Sequence, residues 1–154
     1  MSRVLKMFQK VSQYPFGKRF FSYQVANKAP YFKSIKPLIQ EMRPGFCQVF
    51  IRNRKAVHNH LGTVHAIALC NICELAMGMA AETCIPAHRR WIPMGMQVNY
   101  VKKATTDLTG TCDLSEANWE DSDVPCFVSV KNTEGVEVMN ATIMLRVTAK
   151  PPKV

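Results

Sequence analysis

A long apolar stretch, residues 63–81, limits what this chain can fold into more than any other feature. The stretch holds a single carboxylate, Glu74, and its length approaches that of a membrane span. Asn71 and Glu74 lie near its middle, which favours a core helix over a span. We therefore predict a buried helix that begins with Thr63 as its N-cap and ends before Pro86. Burying an unpaired carboxylate is costly, so we expect Glu74 to have a polar pocket or a chemical role.

The length of 154 residues is that of one domain, and the net charge of +9 favours an anionic partner such as a nucleotide-bearing ligand, a nucleic acid or a membrane surface. We expect no nucleic acid, because the chain lacks helix-turn-helix and ribonucleoprotein patterns. We also expect no transmembrane segment and no secretory signal, and six reduced cysteines in a cytoplasmic protein.

The first acidic residue is Glu41, and eight basic residues precede it: Arg3, Lys6, Lys10, Lys18, Arg19, Lys28, Lys33 and Lys36. We predict that residues 1–36 form a basic helical extension and that residues 37–154 form the main domain. The many large apolar side chains of the extension, through Tyr14, Phe16, Phe20, Phe21 and Tyr23, favour packing on that domain. Peripheral membrane contact through this basic region is the alternative, as is an organellar transit peptide.

Strand patterns surround the apolar stretch. Residues 46–52 alternate as a strand, and strands are predicted over 91–101, 107–114, 126–131 and 136–148, the last two joined by a turn at Gly135. One buried helix followed by a run of antiparallel strands indicates an α+β fold in which a curved antiparallel sheet wraps around a long central helix.

A polar pattern at the start of the helix indicates a site. Asn59, Gly62 and His65 precede Glu74, which falls on nearly the same helical face as His65 but about 13 Å farther along the axis. The two can therefore cooperate only across a subunit interface. The backbone N–H of Ala66 could polarise a thioester carbonyl, and a carboxylate opposite could attack it or activate water. An ion pair between Glu74 and a Lys or Arg is the alternative.

The residues of this pattern resemble a segment of a known protein family. The run Asn59-x-x-Gly62-x-x-His65-Ala66, continuing to Glu74-Leu75-Ala76, is similar to the N-x-x-G-x-x-H-G-G…D/E segment of hotdog-fold acyl-CoA thioesterases of the phenylacetate-pathway type. The resemblance implies a hotdog fold, homodimers and often homotetramers built as dimers of dimers. Within this superfamily the chain looks closest to an uncharacterised bacterial group of domain-of-unknown-function proteins, on the segments 28–32, 62–71 and 90–93.

The same resemblance implies roles for single residues. Glu74 matches the catalytic base or nucleophile, His65 and Asn59 match side chains that orient the thioester, and the Ala66 N–H completes the oxyanion site. Gly62 belongs to the substrate-binding motif, and four basic residues could bind the phosphates of coenzyme A: Arg89, Arg90, Lys102 and Lys103. The acyl-CoA is the substrate, and no cofactor is expected.

Two departures from the family pattern keep an alternative function open. Ala66-Ile67 replaces Gly-Gly, and Pro93 falls where some relatives place a Ser or Thr. Both favour a hotdog protein that binds acyl-CoA or a lipid-like ligand without hydrolysing it. Hydration or dehydration of an acyl thioester is a third and weaker hypothesis for the function, because the Asp-to-His spacing of hydratases is missing around His65.

The cysteine and histidine spacing also suggests zinc, through Cys70, Cys73, Cys84 and His88, or through His58, His60 and His65. We expect no metal, because Cys70 and Cys73 fall inside the apolar helix, where thiols behave as small hydrophobic groups.

Overall fold

The computed structural model describes residues 2–151. Its three α-helices are α1 (Arg3–Val11), α2 (Gly17–Lys28) and α3 (Ala66–Cys84), and short 3₁₀ helices cover Pro30–Ile35 and Lys55–Val57. The strands are β1 (Leu38–Arg43), β2 (Phe46–Ile51), β3 (Arg89–Tyr100), β4 (Leu108–Asp113), β5 (Asp123–Asn132) and β6 (Glu137–Ala149).

The strands form one antiparallel sheet in the order β1-β2-β4-β5-β6-β3, and α3 lies against its inner face. Helix and sheet approach each other closely at Gly110 of β4, where an added Cβ would lie 3.0 Å from the Ile72 Cγ1 atom. Only a residue without a side chain lets the backbone of β4 come this near to α3. The predicted α+β fold, a curved sheet wrapped around a central helix, is confirmed.

Helix α1 and the 3₁₀ helix Pro30–Ile35 contact a second flank of α3, and α2 packs on α1 and β1. Leu5 and Phe8 of α1 are buried, and the Phe8 ring packs edge-on against Phe21 of α2 with the ring centroids 5.2 Å apart. The predicted packing of this region is therefore only partly right: Phe21 is buried, whereas Phe16 and Phe20 project into solvent.

The two edges of the sheet differ. At β1, the backbone N–H of Ile39 donates to the Ser22 hydroxyl of α2 at 2.8 Å, so α2 covers this edge. The strand at the other edge, β3, pairs only with β6 among the described strands, and its central residues are exposed. An edge strand that is long, apolar and uncovered is a surface on which another strand can add.

Two predictions about the elements were wrong. The N-cap of the helix is His65, not Thr63, and the helix begins at Ala66, whereas its end at Cys84 agrees with the predicted end before Pro86. Strand β1 was missed because Pro37 and Pro44 flank it and suggested a loop. Of the described helices, α3 alone is long and apolar enough to cross a membrane, and most of it is buried within the fold.

Candidate active site

The candidate site begins at the start of α3, where His65 caps the helix. Its backbone is extended, with φ −64° and ψ 140°, and its Nδ1 accepts the Ile67 N–H at 3.0 Å. A ring nitrogen thus takes the place of the hydroxyl or carboxylate oxygen that usually caps a helix. The His65 N–H donates to the Val57 carbonyl at 2.8 Å, which ties the cap to the preceding loop.

The capping arrangement does not provide a hydrogen-bond acceptor for the backbone N–H of Ala66. Ala66 is the first helical residue, and its N–H donates to no atom of residues 2–151. The first N–H groups of a helix have no acceptor within the helix, and the helix dipole adds partial positive charge there. The Ala66 N–H is therefore a donor available to a carbonyl oxygen, whereas the Ile67 N–H is occupied.

Asn59 organises the loop that leads to the cap. Its Oδ1 accepts the backbone N–H groups of Leu61 at 2.9 Å and Thr63 at 3.2 Å, and its Nδ2 donates to the Thr63 hydroxyl at 2.9 Å. Gly62 completes this tight loop with a φ of +74°, and open space surrounds its Cα. Asn59 thus holds the loop, and its predicted contact with a thioester stays a prediction, as does substrate binding at Gly62.

Glu74 is exposed, not buried as the apolar stretch suggested. It lies on a stripe of α3 that the sheet and the N-terminal helices leave uncovered, together with Ile67, Cys70 and Glu82 at helical spacing. In the part of the chain that the structure describes, Glu74 makes no hydrogen bond and no ion pair. The predicted alternative, an ion pair between Glu74 and a Lys or Arg, is not formed among the residues of this chain that the structure describes.

A single chain does not bring Glu74 and the helix start together. Eight residues separate Ala66 from Glu74, which is about 12 Å along the axis at the rise of an α-helix. The structure therefore agrees with the distance expected from the sequence, and neither group can act on the same thioester as the other without a second chain.

Strand β3 borders the uncovered stripe. At one end the Trp91 Nε1 donates to the Glu82 Oε1 at 3.0 Å, and at the other end the Tyr100 hydroxyl lies 3.8 Å from the Cys70 Sγ. Partial burial, followed by the hydrogen bond with Cys70, raises the pKa of Tyr100. Glu74 lies between these two contacts along α3 and is exposed.

The four predicted phosphate-binding residues do not form one group. Arg89 and Arg90 begin β3, whereas Lys102 and Lys103 follow its end, so the pairs are about 40 Å apart at the rise of an extended strand. Arg89 is already ion-paired with Glu120 at 2.5 Å. Lys102 and Lys103 are exposed and precede Ala104, whose carbonyl accepts the Val64 N–H beside the α3 cap. Only this pair lies at the helix start.

A small cavity with polar and apolar lining lies beside the cap and was not predicted from the sequence. It has a volume of about 190 Å³ and is lined by Asn71, His65 and Tyr31, among others. The Asn71 Nδ2 donates to the Ser34 hydroxyl at 3.0 Å, but its Oδ1 is buried without a partner among the described residues. Asn71 was visible in the sequence only as a polar residue in an apolar run.

The cysteines do not gather into a site. Cys73 is fully buried, and burial raises the pKa of its thiol, whereas Cys70 is partly exposed on the uncovered stripe. Within residues 2–151 no three His, Cys, Asp or Glu side chains come together in a way that could hold a metal ion.

An antiparallel sheet wrapped around one central helix in this order is the hotdog fold, and comparison with solved structures supports this. The crystal structure of a genomics target is 39% identical to this chain, covers 96% of it and 99% of its own length, and superimposes with a TM-score of 0.85. A thioesterase from Haemophilus influenzae covers 82% of this chain and 87% of its own, with 10% identity and a TM-score of 0.72. A mutant of a thioesterase enzyme from Staphylococcus aureus covers 79% and 99%, with 15% identity and a TM-score of 0.68.

This hotdog-fold protein belongs to the family described as a domain of unknown function, DUF4442, which matches residues 17–147. No curated protein matched the chain. The predicted resemblance to hotdog-fold thioesterases and to a domain-of-unknown-function family is confirmed. The division of the chain into an N-terminal extension, residues 1–36, and a main domain, residues 37–154, stays a prediction.

Proposed function

We propose that this protein is an acyl-CoA thioesterase that acts as a homodimer, with Glu74 of one protomer facing the α3 start of the other. The observation that carries the proposal is the pair of unpartnered groups on the uncovered side of α3. Glu74 is exposed without an ion partner, and the Ala66 N–H has no acceptor among the described residues. Two such groups on one open face are complementary to a polar ligand, not to a packed core.

Edge strand β3 supports the dimer. Ile92 and Met94, near its middle, are 60% and 57% exposed, and its outer backbone groups face no other described strand. A second copy that adds its own β3 would continue the sheet and cover both uncovered stripes. Two-fold symmetry reverses the second α3, which allows Glu74 to approach the partner helix start. A dimer of two such dimers is compatible with the same contact.

The proposed reaction needs only water and these groups. The thioester carbonyl accepts a hydrogen bond from the Ala66 N–H, which stabilises the negative charge that develops on the oxygen during attack. The Glu74 carboxylate either removes a proton from the attacking water, or attacks the carbonyl carbon itself to form a mixed anhydride that water then hydrolyses to the free acid and Glu74. The sulfur of coenzyme A leaves as a thiolate that takes up a proton. His65 holds the helix start in place through its bond to the Ile67 N–H.

Lys102 and Lys103 are the residues we assign to the coenzyme A phosphates, because they lie beside the α3 cap and are exposed. Arg89 and Arg90 lie too far along β3 to bind the same phosphate group in one chain, although a dimer could bring them to the partner site.

Release of coenzyme A from a panel of acyl-CoAs tests this function. We expect the wild-type protein to release thiol from at least one member, and Glu74→Gln to lower that rate about 10²–10⁴-fold, the usual contribution of a general base. Glu82→Gln is the matched control, since Glu82 lies on the same stripe two turns away and bonds to Trp91. Equal rates for Glu74→Gln and the wild-type protein would remove Glu74 from the mechanism.

A non-catalytic acyl-CoA-binding protein is the second candidate. It is favoured by the occupied Ile67 N–H, which leaves one donor where a Gly-Gly sequence would offer a more accessible backbone. Calorimetric binding of an acyl-CoA by the wild-type protein, with no thiol released over hours from any member of the panel, would favour this candidate.

A further inference from the structure

A row of aromatic rings lies on the solvent side of α2. Phe16, Phe20 and Tyr23 are 76%, 54% and 62% exposed, and their spacing of four and three residues places them on one face. We call these three residues the aromatic stripe. Phe21, on the opposite face, is buried in the core. The aromatic stripe therefore contributes nothing to core packing within this chain.

Phe16 is held in an unfavourable backbone conformation. It forms the corner between α1 and α2 with a φ of 62°, in the left-handed region that bulky residues rarely adopt. The corner directs the ring into solvent, and the Arg19 guanidinium lies 5.7 Å from the ring centroid. An Asn or Gly would fit this corner with less strain. Strain retained at an exposed apolar residue is more typical of a binding surface than of a simple turn.

A basic cavity adjoins the aromatic stripe. It has a volume of about 700 Å³, lies between α2 and the outer side of β1 and β2, and shares Tyr23 with the stripe. Arg19, which lies beside the Phe16 ring, also lines the cavity. Its other charged residues are Lys33, Lys36 and Arg52, and none of the described residues that line it is acidic. Apolar side chains, including Leu38 and Phe50, form part of the lining, so the cavity suits an anion that carries an apolar portion.

The surroundings reinforce this positive charge. No acidic residue occurs before Glu41, and the exposed side of α1 adds Lys6 and Lys10. A cluster of basic residues within one short region attracts an anionic lipid surface, at a strength that grows with each Lys or Arg near the surface.

We propose that this face docks on an anionic phospholipid membrane, with the aromatic stripe in the interfacial layer and a lipid phosphate in the basic cavity. A soluble phosphate compound would explain the cavity but not the exposed rings beside it. A second copy of the chain would explain the rings, but it would bring two acid-free basic surfaces together and so be repelled. An anionic membrane matches both the apolar and the charged part of the face.

Vesicle co-sedimentation of the full-length protein tests the proposal without any measurement of activity. Vesicles of phosphatidylcholine alone are compared with vesicles of phosphatidylcholine and phosphatidylglycerol. We expect binding to the anionic vesicles only, and weaker binding as salt is added, because the attraction between surface charges is screened.

Two pairs of substitutions separate the rings from the charge. Phe16→Asn with Phe20→Gln removes both rings, and the Asn relieves the strained corner, so we expect the fold to be retained and binding to fall roughly fivefold or more for each ring. Arg19→Glu with Arg52→Glu reverses two charges at the cavity. We expect binding to anionic vesicles to fall roughly fivefold or more for each cation removed.

Matched controls lie on the sheet and just beyond the end of β6. Phe127→Thr removes a ring that is 55% exposed, nearly the same as Phe20, and Lys131→Glu with Lys150→Glu makes the same change in net charge. We expect both controls to bind anionic vesicles almost as well as the wild-type protein.

Several results would overturn the proposal. One is no binding of the wild-type protein to anionic vesicles at low salt, and another is an equal loss for the cavity variant and its charge control. Saturable binding of free glycerol phosphate without vesicle binding would assign the cavity to a soluble phosphate compound. A change of oligomeric state in the Phe16→Asn, Phe20→Gln variant, with vesicle binding unaltered, would assign the stripe to a contact between copies.

Discussion

Replacing Ala66 with proline removes one hydrogen-bond donor from the candidate site and almost nothing else. Ala66 is the first residue of α3, a position that proline favours because its fixed φ suits the helix and no N–H is needed there. The preceding residue must be extended, and His65 already is, with a ψ of 140°. We therefore expect the free energy of unfolding to change by no more than about 0.5 kcal/mol.

The same substitution should strongly reduce hydrolysis. Removing one donor from an oxyanion site lowers kcat about 10²–10³-fold, or about 2.7–4 kcal/mol of transition-state stabilisation. The assay is thiol release from the best acyl-CoA of the panel, alongside thermal unfolding of the same preparation. Ala66→Gly is the control, because it keeps the N–H and should keep most of the rate. Full turnover by a well-folded Ala66→Pro protein would show that the helix start does not bind the reacting oxygen.

Three further predictions concern the fold and its ionisable groups. Gly110→Ala should lower the free energy of unfolding by about 1–3 kcal/mol in denaturant titrations, because the new methyl group meets Ile72; an unchanged midpoint would mean that α3 moves away freely. The hydroxyl of Ser129 bonds to Glu137 and, with Asn140, lowers the pKa of that carboxyl. This stabilisation is present above the unfolded-state pKa and is lost as pH falls through the folded-state pKa. Ser129→Ala should therefore cost about 1 kcal/mol at neutral pH and progressively less in acid, and a cost that grows in acid would contradict the assignment. Burial raises the pKa of Cys84 to about 11. Alkylation of Cys84, followed by mass spectrometry, should therefore be slow at neutral pH and accelerate as pH rises toward that value. Rapid labelling of Cys84 at neutral pH would refute its burial.

Much of the fold could be predicted because hydrophobic periodicity reports which face of each element is covered. Several strands show this alternation, as in β5, where Val124, Cys126 and Val128 are buried and the residues between them, Pro125 and Phe127, are exposed. The long apolar run, residues 63–81, predicted α3 itself. It could not place the first residue of α3, because His65 caps the helix with a ring nitrogen, and histidine is not among the usual capping residues.

The exposure of Glu74 could not be predicted from the sequence. A helix that is apolar on most sides indicates that it is covered, but not which narrow stripe the rest of the chain leaves open. In this fold the stripe at Glu74 is the open one, because the sheet covers one side and the N-terminal helices another. The expected burial of the carboxylate was therefore wrong, whereas its expected chemical role stays a prediction.

The prediction that Arg89, Arg90, Lys102 and Lys103 form one phosphate-binding group was wrong for a related reason. Arg89 and Lys102 looked close because both flank one predicted strand, yet a fully extended strand places its ends far apart. The cavity at Asn71 depends on packing between the first 3₁₀ helix and α3, elements distant in sequence, so no local pattern could reveal it.

Whether the active site spans two protomers is the central claim, and a purified heterodimer tests it most directly. One protomer carries Glu74→Gln and the other carries Ala66→Pro, each with its own affinity tag. If Glu74 acts on a thioester held at the partner helix start, one of the two sites is intact, and the heterodimer should show about half of the wild-type rate although both parent homodimers are inactive. If both groups of a site belonged to one chain, each site would be damaged, and a heterodimer as inactive as its parents would contradict the account.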